Sequence, residues 1–186
     1  GQRALQRADL AALGSLANTL NNPLQQSDAA ERQARYQTKV TNDYGAGIAA
    51  AQQAFAYAES VGDLARQSKA RIWWSNALRQ RGEYAAAQES LLIAIDLARQ
   101  VKDVKLEADG LRTLSIVLYQ NGDLQNAQTI IQDSLTLCRL IGDVYGEMGN
   151  LNNLGAMLAT RGAYEQARRS LEEGLQVALR TGMREV

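Results

Sequence analysis

The chain has 186 residues, enough for one sizeable core or for several small units that share one by stacking. Its 20 basic and 20 acidic side chains cancel, so no whole-domain field favours nucleic acid or an anionic membrane, and the absence of histidine removes the usual catalytic base, nucleophile partner and zinc ligand. No apolar run of about 18 residues and no basic, apolar leader occurs, and the single Cys138 excludes an intramolecular disulfide, so a soluble chain in a reducing, cytoplasmic setting is expected.

Taken in chain order, residues 1–20 carry Ala4, Leu5, Ala8, Leu13, Leu16 and Leu20, enough for one helix that caps an array or forms half of a preceding unit. Asn21-Asn22-Pro23 stops that helix and opens another from about Leu24. The array itself is expected over 21–186, with units at about 22–61, 62–101, 102–141 and 142–181. The first unit is eroded: its opening helix, QSDAAERQARYQTK, is the least regular, and Asn42-Asp43-Tyr44 stand where Gly82-Glu83-Tyr84 stand later. Residues 182–186 resemble the start of a further unit that breaks off, which reads as an excerpt of a larger protein.

The units are defined by an offset of 40. RGEYAAA at 81–87 returns as NGDLQNA at 121–127 and RGAYEQA at 161–167. Asp63, Asp103 and Asp143 coincide, as do Ala87, Ala127 and Ala167, and the apolar columns Trp74/Leu114/Leu154, Leu78/Leu118/Leu158, Leu91/Ile131/Leu171 and Ile95/Leu135/Leu175. Agreement at one fixed offset marks a stacked repeat array. Within a unit the apolar residues follow three-four spacing on both sides of the glycine bend, so each unit predicts two antiparallel helices of about 17 or 18 residues, roughly 27 Å long. The glycine suits a helix end with positive φ, and the acidic residues Glu83, Asp123, Asp63, Asp103 and Asp143 are predicted caps. The recurring bend therefore belongs to the scaffold, and Cys138, in a column with Ala98 and Ala178, is expected to be a small packed residue.

A helix pair with a small residue in its first helix, a glycine bend, and Ala and Leu down its second helix resembles a tetratricopeptide repeat. The clearest copy is LNNLGAMLATRGAYEQA, with Leu151, Leu154, Gly155, Leu158, Gly162, Tyr164, Ala167 and Leu171; Ser75 and Ser115 replace Gly155 in the earlier units. The 40-residue period is similar to the long-helix subtype of MalT-like bacterial regulators and Pins-type adaptors. What the resemblance implies is an all-α, right-handed superhelical solenoid whose concave face, lined by the first helix of each pair, binds a peptide, a protein or, in MalT-like regulators, a small effector.

Comparison among the units separates scaffold from surface. Trp74 shares its column with Leu114 and Leu154 and is expected to pack, whereas Trp73 shares its column with Thr113 and Asn153, three residues that a packing position rarely accepts alike. The stripe around Trp73 supplies the candidate binding residues: Lys69, Ile72, Trp73, Asn76 and Arg79 in one unit, Arg112, Ile116 and Tyr119 in the next, and Asn152 and Asn153 in the last. Arg32, Tyr36 and Lys39 extend the stripe if the first unit keeps register. Asparagine amides both donate and accept along an extended backbone, arginines take carboxylates bidentately, and Trp, Ile and Tyr act as apolar anchors.

The expected function is therefore a non-catalytic module that binds a peptide or partner protein carrying acidic and apolar features. The alternative is an effector-sensing domain of a larger bacterial signal-transducing ATPase or transcription regulator. No catalytic residue, metal ligand or cofactor is assigned, because neither a phosphate loop nor a metal-ligand cluster is present. Direct nucleic-acid and membrane contact are not expected, and an end-to-end dimer through the last unit is a further expectation.

Overall fold

Helix ends set the architecture. Asn22 accepts from the amide of Leu24 at 3.0 Å and opens a helix with Pro23 in its first turn, the position where a missing N–H costs nothing. Asp63 and Asp103 accept from the amides of Arg66 and Leu106 at 2.9 and 3.0 Å. At the bends, Gly82, Gly122 and Gly162 hold φ of 80°, 90° and 76°, a region where a side chain is strained. Asn42 takes the same place with φ of 57°.

The computed structural model describes residues 2–180, and the side chains from Gln6 onward. The expectations for Ala4, Leu5 and residues 182–186 fall outside those described side chains and residues. The elements are α1 (Gln2–Leu20), α2 (Pro23–Tyr36) running into a π-helical turn (Gln37–Thr41), α3 (Tyr44–Ser60), α4 (Leu64–Gln80), α5 (Tyr84–Gln100), α6 (Val104–Gln120), α7 (Leu124–Ile141), α8 (Val144–Thr160) and α9 (Tyr164–Arg180). Among the described residues there is no strand. The chain forms two compact units, 1–102 and 103–186.

In the first unit α2 pairs with α3 and α4 with α5, while α3 also packs on α4. Its core is built from small residues: Ala34, Ala50 and Ala51 against Trp73 and Trp74, and Ala30, Ala54 and Ala70 against Phe55. Alanine lets the backbones approach and leaves the large rings to fill the seam. In the second unit α6 pairs with α7 and α8 with α9, and α7 packs on α8. Leu135, Leu151 and Val177 form a core cluster there, with Val144 and Met148 along its edge.

Serine hydroxyls join paired helices through backbone carbonyls. Ser27 on α2 donates to Ala54 on α3 at 2.9 Å, and Ser68 on α4 donates to Ala94 on α5 at 2.8 Å. Both hydroxyls are buried, so each bond satisfies a group that water cannot reach.

The first pair departs from the 40-residue register for a reason visible at both ends of its first helix. The N-caps Asn22 and Asp63 are 41 apart, whereas the αL bends at Asn42 and Gly82 are 40 apart. One extra residue therefore lies between Asn22 and Asn42, and the π-turn absorbs it. Thr38 and Thr41 hydroxyls donate to the carbonyls of Ala34 and Gln37 at 2.8 and 2.9 Å within this stretch. This insertion is why the opening helix looks irregular in sequence: Ser27 matches Ser68 at 41, not 40.

Two expected details are corrected by the geometry. Glu83 and Asp143 make no capping bond; Glu83 instead pairs with Arg81 at 2.7 Å and Asp143 with Lys105 at 2.6 Å. Leu171 and Leu175, expected in core columns, are 46% and 58% exposed, while Ile131 and Leu135 of the same columns are 0% and 7% exposed. No described helix follows α9 to cover the later pair.

Candidate functional site

The candidate residues lie on first helices of the pairs, α4 in one unit and α6 with α8 in the other. In the first unit Lys69 is exposed and Ile72 is buried, so Ile72 faces the core rather than the surface of the stripe. Trp73 is half-buried. Its indole Nε1 donates to Glu31 Oε1 at 3.1 Å, and the Lys39 ammonium lies 5.2 Å from its ring centroid. Asn76 turns inward, with Nδ2 donating to the Ile72 carbonyl at 3.0 Å. Arg79 is half-buried, and burial pulls its guanidinium below its ordinary value against the opposing pull of Tyr84 and Tyr44.

The second unit presents a more open surface. Arg112 Nη2 donates to Asp109 Oδ1 at 2.6 Å and is one-third exposed. Its Nη1 passes over Gly149, where an added Cβ would stand 3.4 Å from it, so the guanidinium reaches from α6 onto α8. Ile116 is half-buried, and the Tyr119 hydroxyl shares a hydrogen bond of 2.7 Å with Thr160 Oγ1, again across α6 and α8. Asn152 is exposed and Asn153 half-buried, and neither amide makes a hydrogen bond among the described residues. Thr113, in the Trp73 column, is buried and donates to the Asp109 carbonyl at 2.9 Å.

Ion pairs tie neighbouring first helices together, a feature the column comparison misses because partners lie in different columns. Arg66 Nε and Nη2 donate to the two Asp28 oxygens at 3.0 and 3.1 Å, while Nη1 donates to Asp63 at 2.6 Å. The guanidinium is pushed above its ordinary value, first by the Asp28 bond and then by Asp63. Lys105 reaches Asp143 at 2.6 Å and Asp109 at 3.7 Å. Burial would raise the Asp143 carboxyl, but the Lys105 hydrogen bond and charge outweigh it and hold the group below its ordinary value.

Arg71 also escapes the column comparison. Its guanidinium sits between Phe55 and Trp74, 4.6 and 4.9 Å from the two ring centroids, and its Nε is buried without a hydrogen bond. Burial lowers its value, with Glu59 and Glu89 opposing. No sequence spacing announces such a stack, because the two rings come from different helices. Cys138 is buried as expected, accepts from Asn150 Nδ2 at 3.4 Å, and has its thiol pushed up by burial. Among the described residues no three metal-capable side chains converge, and no helix is long and apolar enough to cross a membrane.

Repeated helix pairs joined by the same αL bend define a helical-repeat scaffold. Residues 106–180 match the tetratricopeptide-repeat family model. Its fold is similar to that of three solved structures. The Rap protein complexed with Competence and Sporulation Factor shares 15% identity at a TM-score of 0.75, covering 89% of this chain and 52% of that one. BtubC (BKLC) from P. vanneervenii shares 12% at 0.72, covering 88% and 67%, so the chain spans about half of the first protein and two thirds of the second. A putative kinesin light chain from Podosopora anserina with nearly identical TPR-like repeats shares 12% at 0.71, covering 98% and 91%. No curated protein matches the chain.

Proposed function

We propose that the chain is a non-catalytic interaction module whose first-helix faces bind an extended segment of a protein partner. The observation that carries this reading is the α6–α8 face. Two asparagine amides lie open there without hydrogen bonds among the described residues, beside Arg112, Ile116 and Tyr119. Amides of this kind pair with a partner's backbone, the arginine takes a carboxylate, and the apolar side chains exclude water. The repeat family supports a scaffold role, and a similar fold holds Competence and Sporulation Factor in the Rap complex.

The face is tested on the second unit, because Trp73 is part of the alanine core and its removal disturbs the fold. Peptides selected by display against the full chain are titrated calorimetrically against the unaltered protein and a variant carrying Arg112→Ala, Asn152→Ala and Asn153→Ala. Affinity is expected to fall by about tenfold or more with a stability loss of only about 1 kcal/mol, since Asn152 is exposed, the Asn153 amide makes no hydrogen bond among the described residues, and Arg112 loses one partly exposed ion pair. Equal affinity for both proteins removes the face from consideration.

A further inference from the structure

The extra residue in the first pair has a structural consequence beyond register. The π-turn at 37–41 continues α2 opposite α1 and helps to line a groove of about 440 Å³ between them. Leu10 and Leu13, one turn apart on α1, form one apolar wall, and Tyr36 and Val40 form the other. Arg32, Arg35 and Lys39 supply three cations to the lining, against the single anion Asp9. Arg32 and Arg35 are exposed and make no ion pair among the described residues, while Lys39 rests against the Trp73 ring. Elsewhere in this unit a buried-edge arginine such as Arg66 is matched by two carboxylates. The groove is thus the place in the unit where basic side chains converge over apolar surface without their counter-charges.

We infer that this groove is a docking site for an acidic amphipathic peptide segment, one that places carboxylates on Arg32 and Lys39 and apolar side chains between the two leucines and Val40. Spacing selects a segment over a compact anion. Arg32 and Lys39 are seven residues apart, so their Cα atoms are about 10 Å apart along the helix axis at 1.5 Å per residue. A polyproline-II segment covers about that distance in three residues at roughly 3.1 Å each, and its three-residue turn keeps the first and fourth side chains on one side. The matching ligand therefore has acidic residues at positions one and four with two apolar residues between them. Guanidinium groups grip such carboxylates bidentately, and the apolar pair supplies the burial that a bare dicarboxylate lacks. π-turns cost regular hydrogen bonding and recur at functional positions, which accords with one being kept where the groove is lined.

The probe is a fluorescein-labelled hexapeptide, Gly-Glu-Leu-Phe-Glu-Gly, followed by anisotropy with the full chain, alongside its charge-swapped form with Lys for Glu. The acidic peptide is expected to bind, to weaken as salt rises, and to resist competition by excess adipate; the lysine peptide is expected not to bind. Arg32→Glu with Arg35→Glu, both exposed and without an ion pair among the described residues, is expected to weaken binding at least tenfold, and Arg169→Glu, exposed on α9 and outside both faces, to leave it unchanged. No binding up to millimolar protein, equal binding of the lysine peptide, displacement by adipate, or insensitivity to the double reversal each overturns the groove assignment. Loss of binding on Arg112→Glu alone also overturns it but keeps the α6–α8 face as the acidic-peptide site, so the two readings fail separately.

Discussion

The Ser134 hydroxyl on α7 donates to the Ala108 carbonyl on α6 at 2.7 Å, and this reverses the bond one repeat earlier, where Ser68 on the first helix donates to Ala94 on the second. The two columns are the same; only the helix that owns the serine has changed. In the later pair Ser134 Oγ also accepts from Asn150 Nδ2 at 2.9 Å, so one hydroxyl joins α6, α7 and α8. Ser134→Ala is expected to destabilise by about 1–3 kcal/mol, because it leaves a buried amide and carbonyl short of a partner. Adding Ala108→Ser to that variant restores the α6–α7 bond in the polarity of the earlier pair but not the Asn150 bond, so urea denaturation should show partial recovery. Complete recovery would mean the Asn150 contact contributes nothing.

Much of the fold is legible in the sequence because an internal repeat acts as its own comparison. The Asp63 and Asp103 caps, the αL bends and the buried Ala87 and Ala127 all follow from columns that agree at 40. The site is less legible. A column says that Trp73, Thr113 and Asn153 differ, but not that Thr113 is buried beneath its own helix while Asn153 stays half open. Contacts between columns, such as Arg71 between two rings and Arg66 across to Asp28, depend on which helices meet and leave no trace in the offset. The columns reach Arg32, Tyr36 and Lys39 of the groove only as an extension of the stripe and miss Arg35 and the α1 wall, because their helix is the one whose register has slipped.

The π-turn depends on side-chain hydroxyls. Thr38 is 3% exposed and its Oγ1 donates to the Ala34 carbonyl. Gly47 lies against it, since a Cβ there would come within 2.5 Å of that oxygen. Thr38→Val keeps the shape and removes the donor, and a loss of about 1 kcal/mol is expected. Gly47→Ala is expected to cost more, because it must displace a buried group held by its own bond. Thermal unfolding of the two variants should rank them in that order; a neutral Gly47→Ala would show that the turn yields freely.

Acid should expose the Lys105–Asp143 link. The Asp143 carboxyl is held below its ordinary value of 3.8, so the stabilisation it brings is complete above that pH and is lost as pH falls through the lower folded value. Lys105 is raised, so its own contribution is complete below 10.5 and is lost only at higher, strongly alkaline pH. Lys105→Met should therefore lower the unfolding temperature more at pH 7 than at about pH 2.5, since the deficit shrinks as pH falls below 3.8 toward the lower folded value. Both temperatures can be followed by circular dichroism. A deficit of the same size at both pH values would assign the effect to lost packing of the lysine stem.

Identical columns need not carry equal energy, and Ile131 and Leu171 show why. Ile131 on α7 is fully buried, whereas Leu171 on α9 is 46% exposed, next to Leu175 at 58%. Truncating a buried isoleucine removes its transfer energy and leaves a cavity, so Ile131→Ala is expected to cost about 2–5 kcal/mol. Leu171→Ala should cost less, because half of its surface already meets water, and alanine also favours the helix. Leu171 contributes one specific contact: it stands over Gly155, within 2.9 Å of where a Cβ would sit. Because the nearest atom is the Leu171 Cγ, 2.8 Å from that Cβ, Gly155→Ala should destabilise the unaltered protein, and most of that loss should be recovered once Leu171→Ala has cleared the space. Urea denaturation of the two single variants and the double variant measures the coupling directly, and an Ile131→Ala cost no larger than that of Leu171→Ala would contradict the burial difference between the two repeats.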